Sequence, residues 1–256
     1  LESTLWQYGL SSLSEAQMLK SAGYNIPLTN PIEFLKANYP GEEVFRYIQT
    51  HPDFDHLRGL AALRDNFTVL NFWDHPHSKE WDCKAQKRGD EESWDAYQEF
   101  RAGKHCKVLN LYRGAKGKYW NEGDNGGPGN GIHILSPTTA FRDECDGKEH
   151  WNDMSYVLEY RTGDRRIIFG GDAEGPAWEN ILAHYGEGRL KCDVLKASHH
   201  GRNSGYHQPS VKAMSPEYTI VSVGKKNDHD ASSKYRQYSD NVWSTRWMGD
   251  ITLEID

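Results

Sequence analysis

The chain has 256 residues, with 37 acidic and 30 basic side chains and a net charge of -7. This balance argues against a uniformly basic nucleic-acid-binding protein, although it leaves room for a local basic groove. No apolar run reaches the roughly 18 residues that a membrane-spanning helix needs, and no signal peptide is visible, so we expect no membrane segment. The length suits one large domain or two small ones.

The cysteines lie far apart and form no C-x-x-C pair; they are Cys83, Cys106, Cys145 and Cys192. Such spacing is typical of reduced thiols and favours a cytoplasmic protein, with two disulfides as the alternative. Because the sequence starts at Leu1 and not at Met, we expect that it lacks its true N-terminus.

The chain predicts two short helices at its start, over residues 10–22 and 31–37, the second with Asn30 as its N-cap. An apolar run at 44–48 predicts a strand, and a helix is expected to begin near Leu60. The further elements follow in this order: strand 67–73, helix 91–102, and strands 107–112, 131–137, 154–160, 165–169, 192–197, 218–224, 242–245 and 249–255. We expect the last two strands to form a hairpin, and the aromatic stripe of helix 91–102 to pack in the core.

The segment THPDFDHLRG (50–59) holds four metal-ligand side chains in a tight turn: His51, Asp53, Asp55 and His56. Imidazole suits zinc, manganese or iron, and added carboxylates favour harder ions such as manganese or magnesium. Gly59 would help the backbone to turn sharply, as convergence of the four side chains requires. The alternative is a solvated acidic turn with two chance histidines.

Residues 74–131 are polar and aromatic and are expected to form an insertion. Their glycine-rich part, 113–131, is expected to be a surface loop. It carries basic residues beside aromatic ones, a combination that suits stacking on bases and contact with phosphates: Arg113, Lys116 and Lys118 with Tyr119 and Trp120. A solvated loop without a ligand is the alternative.

Two later motifs follow predicted strands. Strand 165–169 ends in Gly-Gly-Asp172, and strand 192–197 delivers Ser-His199-His200-Gly. Asp172 taken alone could equally cap a helix that starts near residue 175. Adjacent histidines point in different directions, so one can ligate a metal while its neighbour contacts the substrate or donates a proton; a chance pair of loop histidines is the alternative.

These motifs, in this order, resemble those of the metallo-β-lactamase superfamily, and in particular the hydrolase domain of ComEC-type DNA-uptake proteins. The HPDFDH segment resembles the superfamily signature H-x-H-x-D-H, with Asp53 in place of its second histidine. The Leu-Ser-Pro at 135–137, the Asn-x-x-Ser that begins at Asn152 and the His-His-Gly at 199–201 resemble ComEC-type elements. The resemblance covers residues 44–255.

The resemblance implies an α/β fold, namely an αββα sandwich of two mixed sheets with helices outside, in one domain over residues 1–256. The usual first strands are not found in this sequence. Bound ions are implied as well: one or two divalent metals, zinc or manganese, held by His51, Asp53, Asp55, His56, Asp172, His199 and His229.

Further roles follow from the same resemblance. A metal-bound hydroxide would attack, Asp55 would orient it or act as a base, and His200 or His229 would stabilise charge or protonate the leaving oxygen. Which of His199, His200 and His229 ligates metal stays open. Asn152, Lys225 and Lys226 are expected to contact the substrate, and His150 is a reserve ligand.

We therefore expect a metal-dependent hydrolase, in the first place a phosphodiesterase or nuclease acting on DNA or RNA. One alternative is hydrolysis of a small ester, lactone or phosphorylated metabolite, which the acidic net charge mildly favours. The other is a non-catalytic module of a larger assembly, which Asp53 and the missing first strands keep open. The expected partners are nucleic acid or a small phosphoester, and a separate sensor or partner protein.

Overall fold

The computed structural model describes residues 29–81, 89–122, 127, 129–224 and 229–255. The chain divides into two compact units, Leu1–Asn110 and Leu111–Asp256. The fold is α/β, with a parallel sheet in unit 1 and a mixed sheet in unit 2. None of the helices in the described part of the chain has the length and apolar character to cross a membrane.

Unit 1 contains a three-stranded parallel sheet in the order β1-β2-β3. Its described elements are α1 (Pro31–Asn38), β1 (Tyr47–Ile48), α2 (Phe54–Leu57), α3 (Leu60–Asn66), β2 (Asn71–Trp73), α4 (Asp90–Arg101) and β3 (Lys107–Leu109). The isolated parallel bridge between Val44 and Val69 shows where the longer predicted strands begin to run side by side.

Local signals explain the helices of unit 1. The Asn30 side chain accepts a hydrogen bond from the Ile32 N–H at the start of α1, as predicted. Helix α4 begins with three acidic residues, which favour a helix N-terminus, and its predicted bounds are confirmed to within one residue. Tyr97 and Phe100 of α4 are buried in the core beside Phe72 of β2, so the aromatic stripe packs as expected.

Unit 2 contains a six-stranded sheet in the order β4-β5-β6-β7-β8-β9, antiparallel from β4 to β6 and parallel from β6 to β9. Its strands are β4 (Ile132–Ser136), β5 (Val157–Thr162), β6 (Arg165–Phe169), β7 (Val194–Lys196), β8 (Tyr218–Val221) and β9 (Asn241–Ser244). Its α-helices are α5 (Thr139–Gly147), α6 (Gly175–Tyr185), α7 (Gln208–Met214), α8 (Ser232–Tyr235) and α9 (Thr245–Met248). Its 3-10 turns among the described residues are Trp151–Met154, Glu187–Arg189 and Ser198–Gly201.

One face of this sheet forms the core of unit 2. Alternate residues such as Val157 and Ile168 are fully buried, together with Trp178 and Ile181 of α6. The period of two along β5 and β6 places Val157 and Ile168 on the same face, where they belong to one hydrophobic cluster with the buried residues of α6. Because the indole of Trp178 also donates to Ser198 Oγ at 3.1 Å, this core supports the turn that carries the paired histidines.

Two strand predictions in unit 2 are wrong. Residues 154–156 were expected to start a strand, but Trp151–Met154 is a 3-10 turn and β5 begins at Val157. The expected C-terminal hairpin is absent from the described residues, because β9 pairs in parallel with β8 and leads into α9. Residues 250–255 form no regular element. The predicted helix 10–22 lies outside the described residues.

Candidate functional site

In unit 1, the four predicted ligands of the 50–59 segment form what we call the 51–56 group: His51, Asp53, Asp55 and His56. Asp53 has extended backbone and its carbonyl accepts from the N–H groups of His56, at 2.9 Å, and Leu57. The resulting single turn, α2, is followed by a left-handed Gly59 with φ of 96°, which redirects the chain into α3. The predicted sharp turn at Gly59 is confirmed.

The two imidazoles of the 51–56 group lie side by side. Their ring centroids are 4.3 Å apart, and Thr50 Oγ1 is 3.1 Å from Nδ1 of His51 and 3.3 Å from Nδ1 of His56. Nε2 of His51 is 3.8 Å from Oδ2 of Asp53. Ligand atoms of Asp55 and His56 lie within 4.8 Å of one another. The segment thus brings ligand atoms together in two pairs, His51 with Asp53 and Asp55 with His56.

Lys79 is a partner of this group that the sequence did not indicate. Its ammonium forms a close ion pair with Oδ1 of Asp53, and both side chains are partly buried. Asp53 stands where the superfamily signature has a histidine. A carboxylate at that position brings a negative charge, and Lys79 offsets it.

A hydrogen-bonded network in unit 1 holds the segment that carries Lys79. Oδ1 of buried Asp74 accepts from the Tyr97 hydroxyl at 2.9 Å, which lies 2.7 Å from Nε2 of His77. His77 Nδ1 accepts from the backbone N–H of Lys79. Burial raises the pKa of Asp74 to about 6, while Arg101, whose Nε is 2.9 Å away, opposes the rise. These contacts give His77 a structural role in this segment.

In unit 2, the strand end after β6 and the Ser198–Gly201 turn form the 172–200 group: Asp172, Glu174, His199 and His200. Gly171 has φ of 53° and packs closely on Ser155, where a Cβ would lie 2.8 Å from the Ser155 Cβ. The Asp172 N–H donates to Ser155 Oγ at 3.0 Å, and the Gly171 carbonyl accepts from the His199 N–H. These backbone contacts fix Asp172 beside the paired histidines.

Both histidines of this group turn Nε2 toward Asp172. The separations from Asp172 Oδ2 are 3.9 Å for His199 and 3.4 Å for His200. Nδ1 of His199 is 2.8 Å from Oε1 of Glu174, and Nδ1 of His200 is 3.3 Å from the Ser222 carbonyl. Metal-ligating histidines are commonly anchored at one ring nitrogen in this way, which leaves the other for the ion.

The adjacent histidines adopt an unusual backbone to reach these positions. His199 and His200 have φ of 47° and 55°, in the left-handed region that β-carbons disfavour. Such conformations cost on the order of 1 kcal/mol each and are concentrated at functional sites. The prediction that the two rings point in different directions holds for their planes, which are 65° apart, but not for their ligand atoms, since both Nε2 atoms face Asp172.

Charges around the 172–200 group shift several pKa values. The hydrogen bond to Glu174 is the main cause that raises the pKa of His199, and Asp172 adds to it. The same bond lowers the pKa of Glu174. Burial lowers the pKa of Lys196 to about 8, while the charge of Asp172 opposes the fall.

Asp172 does not cap helix α6. The helix begins after Glu174, and it is buried Asp153 whose Oδ1 accepts from the N–H groups of Glu174, at 3.0 Å, and Ala177, at 3.2 Å. The capping alternative for Asp172 is therefore wrong. Asp153 performs that task, and Asp172 faces the histidines.

The remaining predicted residues differ in what the structure says of them. Asn152 Nδ2 is 3.4 Å from Glu174 Oε1, and its Oδ1 is buried without a hydrogen-bond partner among the described residues. His229 is exposed, and its carbonyl accepts from the Asn203 N–H. The role of its ring as a metal ligand or proton donor stays a prediction. Lys225 and Lys226 lie outside the described residues. His150 is exposed and precedes the Trp151–Met154 turn.

Each group offers imidazole nitrogens and carboxylate oxygens, the donor set of zinc and manganese sites. Asp172 and His200 also have ligand atoms within 4.8 Å of one another. The residues present therefore fit a divalent cation, and either group could contribute to holding one.

Comparisons with known proteins give partial matches. No protein-family model matches the chain. Similar curated proteins include ComE operon protein 3 of Bacillus subtilis, 30% identical over 96 residues, and competence protein ComA of Neisseria gonorrhoeae, 34% identical over 76 residues. The uncharacterized protein YcaI of Escherichia coli is 23% identical over 97 residues.

These matches cover 38%, 30% and 38% of this chain, respectively. They cover 11%, 11% and 13% of the three relatives. The chain thus aligns with about a tenth of the length of the curated relatives that it matches.

Proposed function

We propose that this protein is a metal-dependent hydrolase with a metallo-β-lactamase sandwich, and that it cleaves phosphodiester bonds in nucleic acid. The observation that carries the proposal is the 172–200 group, in which His199 and His200 are anchored at Nδ1 and direct Nε2 toward Asp172. Such anchoring is characteristic of metal ligands, and both histidines have a strained backbone, which is concentrated at functional sites.

In this proposal Asp172, His199 and His200 hold a divalent ion in unit 2, and the 51–56 group is a second set of ligands in unit 1. A divalent cation bound there would lower the pKa of a water molecule and offset charge on a phosphate. Glu174 keeps the His199 ring in place. Asn152, through its buried Oδ1, would accept a hydrogen bond from the substrate or from water.

The choice of nucleic acid as substrate is supported by the name of one relative. ComA is named a competence protein, and competence is the uptake of DNA. The proposal also agrees with the resemblance of the ligand motifs to the hydrolase domain of ComEC-type proteins.

The test pairs metal content with cleavage. Protein purified without chelator would be measured by metal mass spectrometry, and single- and double-stranded DNA would be incubated with it and manganese. We expect Asp172→Asn to lose bound metal and to lower the cleavage rate by at least about a hundredfold, because a direct ligand matters at least as much as an outer-shell partner. Asp164→Asn is the matched control, since Asp164 lies at an exposed hairpin turn and should change neither.

Other outcomes would replace the proposal. Bound metal with intact DNA, but with hydrolysis of a small phosphoester, lactone or carboxylic ester, would assign a small-molecule substrate. If the wild-type protein binds no metal and cleaves no substrate, the result would favour a non-catalytic module of a larger assembly.

A further inference from the structure

Unit 2 holds a second concentration of charge, centred on Glu159 of β5. This carboxylate is 1% exposed. Oε1 and Oε2 each accept from Arg189 at 2.8 Å, and Oε2 also pairs with Arg161 at 2.8 Å. Arg166 Nε lies 4.0 Å from Oε1. Three guanidinium groups therefore converge on one buried carboxylate.

The sheet register brings two of these guanidinium groups together, and their mutual repulsion costs free energy unless an anion lies between them. Arg161 of β5 and Arg166 of β6 are directly opposite each other in the antiparallel ladder. Like charges at directly opposed positions destabilise a sheet. Among the described residues, the side-chain ion pairs of these two arginines and of Arg189 all go to Glu159. Three positive groups and one negative group leave two positive charges in excess.

The guanidinium groups are also accessible. The side chains of Arg161, Arg166 and Arg189 are 35%, 38% and 30% exposed. The contacts with Glu159 use Nε and Nη2 of Arg161 and both Nη atoms of Arg189. Nη1 of Arg161 and Nε of Arg189 are thus not taken by the carboxylate. Donors fixed in place by a buried carboxylate can bind an anion at a low entropic cost.

An aromatic side chain extends the surface. The Tyr185 ring, half-buried at the end of α6, lies 5.6 Å from the Arg189 guanidinium and 5.7 Å from that of Arg113. Arg113 is itself fixed by hydrogen bonds to the Leu135 carbonyl, at 2.7 Å, and to Asn180. Four arginines thus lie around one tyrosine and one glutamate. This local positive charge contrasts with the net charge of -7 of the whole chain.

We propose that this arginine surface, formed by Arg113, Arg161, Arg166 and Arg189 with Tyr185, binds the phosphate groups of single-stranded nucleic acid. A row of fixed guanidinium groups beside an aromatic ring matches a strand of repeated phosphates and bases. The choice of nucleic acid over another polyanion rests on the proposed function, whereas the anion site rests on the contacts of Glu159 alone.

The arginine surface is separate from the 172–200 group. Arg166 stands near the start of β6, and Asp172 follows its end, six residues later. At about 3.3 Å per residue the two positions are at most roughly 20 Å apart, a span that a strand of several nucleotides would bridge. The surface would therefore hold a long substrate and leave a dinucleotide unaffected.

The experiment measures binding without cleavage. Fluorescence anisotropy of a fluorescein-labelled oligodeoxythymidine is recorded with EDTA present, over a series of salt concentrations. We expect Arg166→Gln to weaken binding roughly three- to tenfold and to reduce the slope of log affinity against log salt by about 0.7, the value for one phosphate contact on a single strand. The double variant, Arg161→Gln with Arg166→Gln, should reduce this salt-dependence slope by about twice as much.

Arg165→Gln is the matched control. Arg165 is the neighbouring residue on β6, but its guanidinium is paired with Asp193 at 3.0 Å and Asp164 at 3.7 Å. Its removal should leave the anisotropy curve unchanged. Arg166→Gln retains both hydrogen-bonded arginines on Glu159, so thermal melting should show a folded protein.

Several results would overturn this inference: no binding by the wild-type protein at low salt, equal binding by wild type and both Arg166 variants, or an equal loss in Arg165→Gln. Arginine-dependent binding to phosphatidylglycerol vesicles with none to DNA would assign a lipid surface instead. Failure of the proposed function would give a different result: the wild-type protein would not cleave DNA, but its binding, measured by anisotropy, would still depend on the arginines.

Discussion

In the 51–56 group the two imidazoles share one neighbour, the Thr50 hydroxyl, at 3.1 and 3.3 Å from their Nδ1 atoms. In the 172–200 group each imidazole has its own Nδ1 contacts: Glu174 and the Ser204 hydroxyl for His199, and the Ser222 carbonyl for His200. Two separate anchors restrict the rotation of each ring, whereas a shared neutral hydroxyl can donate its hydrogen to one ring at a time.

The two groups also differ in how a lysine offsets their carboxylates. Lys79 forms a direct ion pair with Asp53. In the 172–200 group Lys196 interacts with the charge of Asp172, while its Nζ donates to the Ala197 carbonyl at 3.2 Å. We infer that the 172–200 group is the one prepared to receive a cation. In the 51–56 group, the ion pair between Lys79 and Asp53 must first break.

The largest effect that tests this difference is expected from Glu174→Gln. Loss of the carboxylate removes the charged anchor of the His199 ring, and outer partners of this kind are worth about 10- to 100-fold in metal affinity. Titration calorimetry with manganese should show that loss. Glu144→Gln is the matched control, because Glu144 forms an exposed ion pair with Lys148 on α5 of the same unit. Unchanged affinity in Glu174→Gln would show that the anchor does not prepare the ring for an ion.

A smaller effect, of opposite sign, is expected from Lys79→Met. Removing the ammonium leaves the Asp53 carboxylate to a cation, so affinity for a divalent ion should rise about fivefold, equivalent to about 1 kcal/mol. The same calorimetric titration measures it.

Lys36→Met serves as the control for Lys79→Met, since Lys36 pairs with Glu33 on the exposed helix α1. If metal affinity fell in Lys79→Met, the lysine would be supporting the geometry of the 51–56 group rather than competing with an ion, and the contrast between the two groups would disappear.

The sequence predicted the parts of both groups that depend on local order. The 50–59 segment, the strand that ends at Asp172 and the histidine pair lie where their motifs indicated, because a strand end followed by glycine determines the turn. Helix α1 likewise follows from Asn30 and a proline in the first turn.

The partners that orient the ligands could not be found in this way. Lys79 and Asp53 are 26 residues apart, and His199 and Glu174 are 25 apart. Tertiary packing selects such pairs, and no spacing rule identifies them. The same limit explains the error at the C-terminus. Leu253 and Ile255 line a cavity of about 250 Å³ together with Val194 and Tyr218, and residues 251–255 form no strand.

The smallest effect concerns pH. The hydrogen bond to Glu174 raises the pKa of His199. The stability that protonated His199 contributes is therefore complete below the ordinary pKa of 6.5 and is lost as pH rises through the pKa in the folded protein. The lowered pKa of Glu174 means that its contribution is present above 4.5 and is lost as pH falls. Without metal, the difference in unfolding free energy between wild type and Glu174→Gln should therefore be greatest between pH 4.5 and 6.5, at below about 1 kcal/mol.

Urea unfolding in EDTA at a series of pH values measures this difference. Glu144→Gln again provides the contrast, because its partner Lys148 stays charged well above neutral pH and its raised pKa keeps that pair intact. The Glu144 effect should thus persist at pH 8, where the Glu174 effect has faded. A Glu174 effect that grew above pH 7 would mean that His199 is not the charged partner, and that the anchor acts through a neutral hydrogen bond like the one at Thr50.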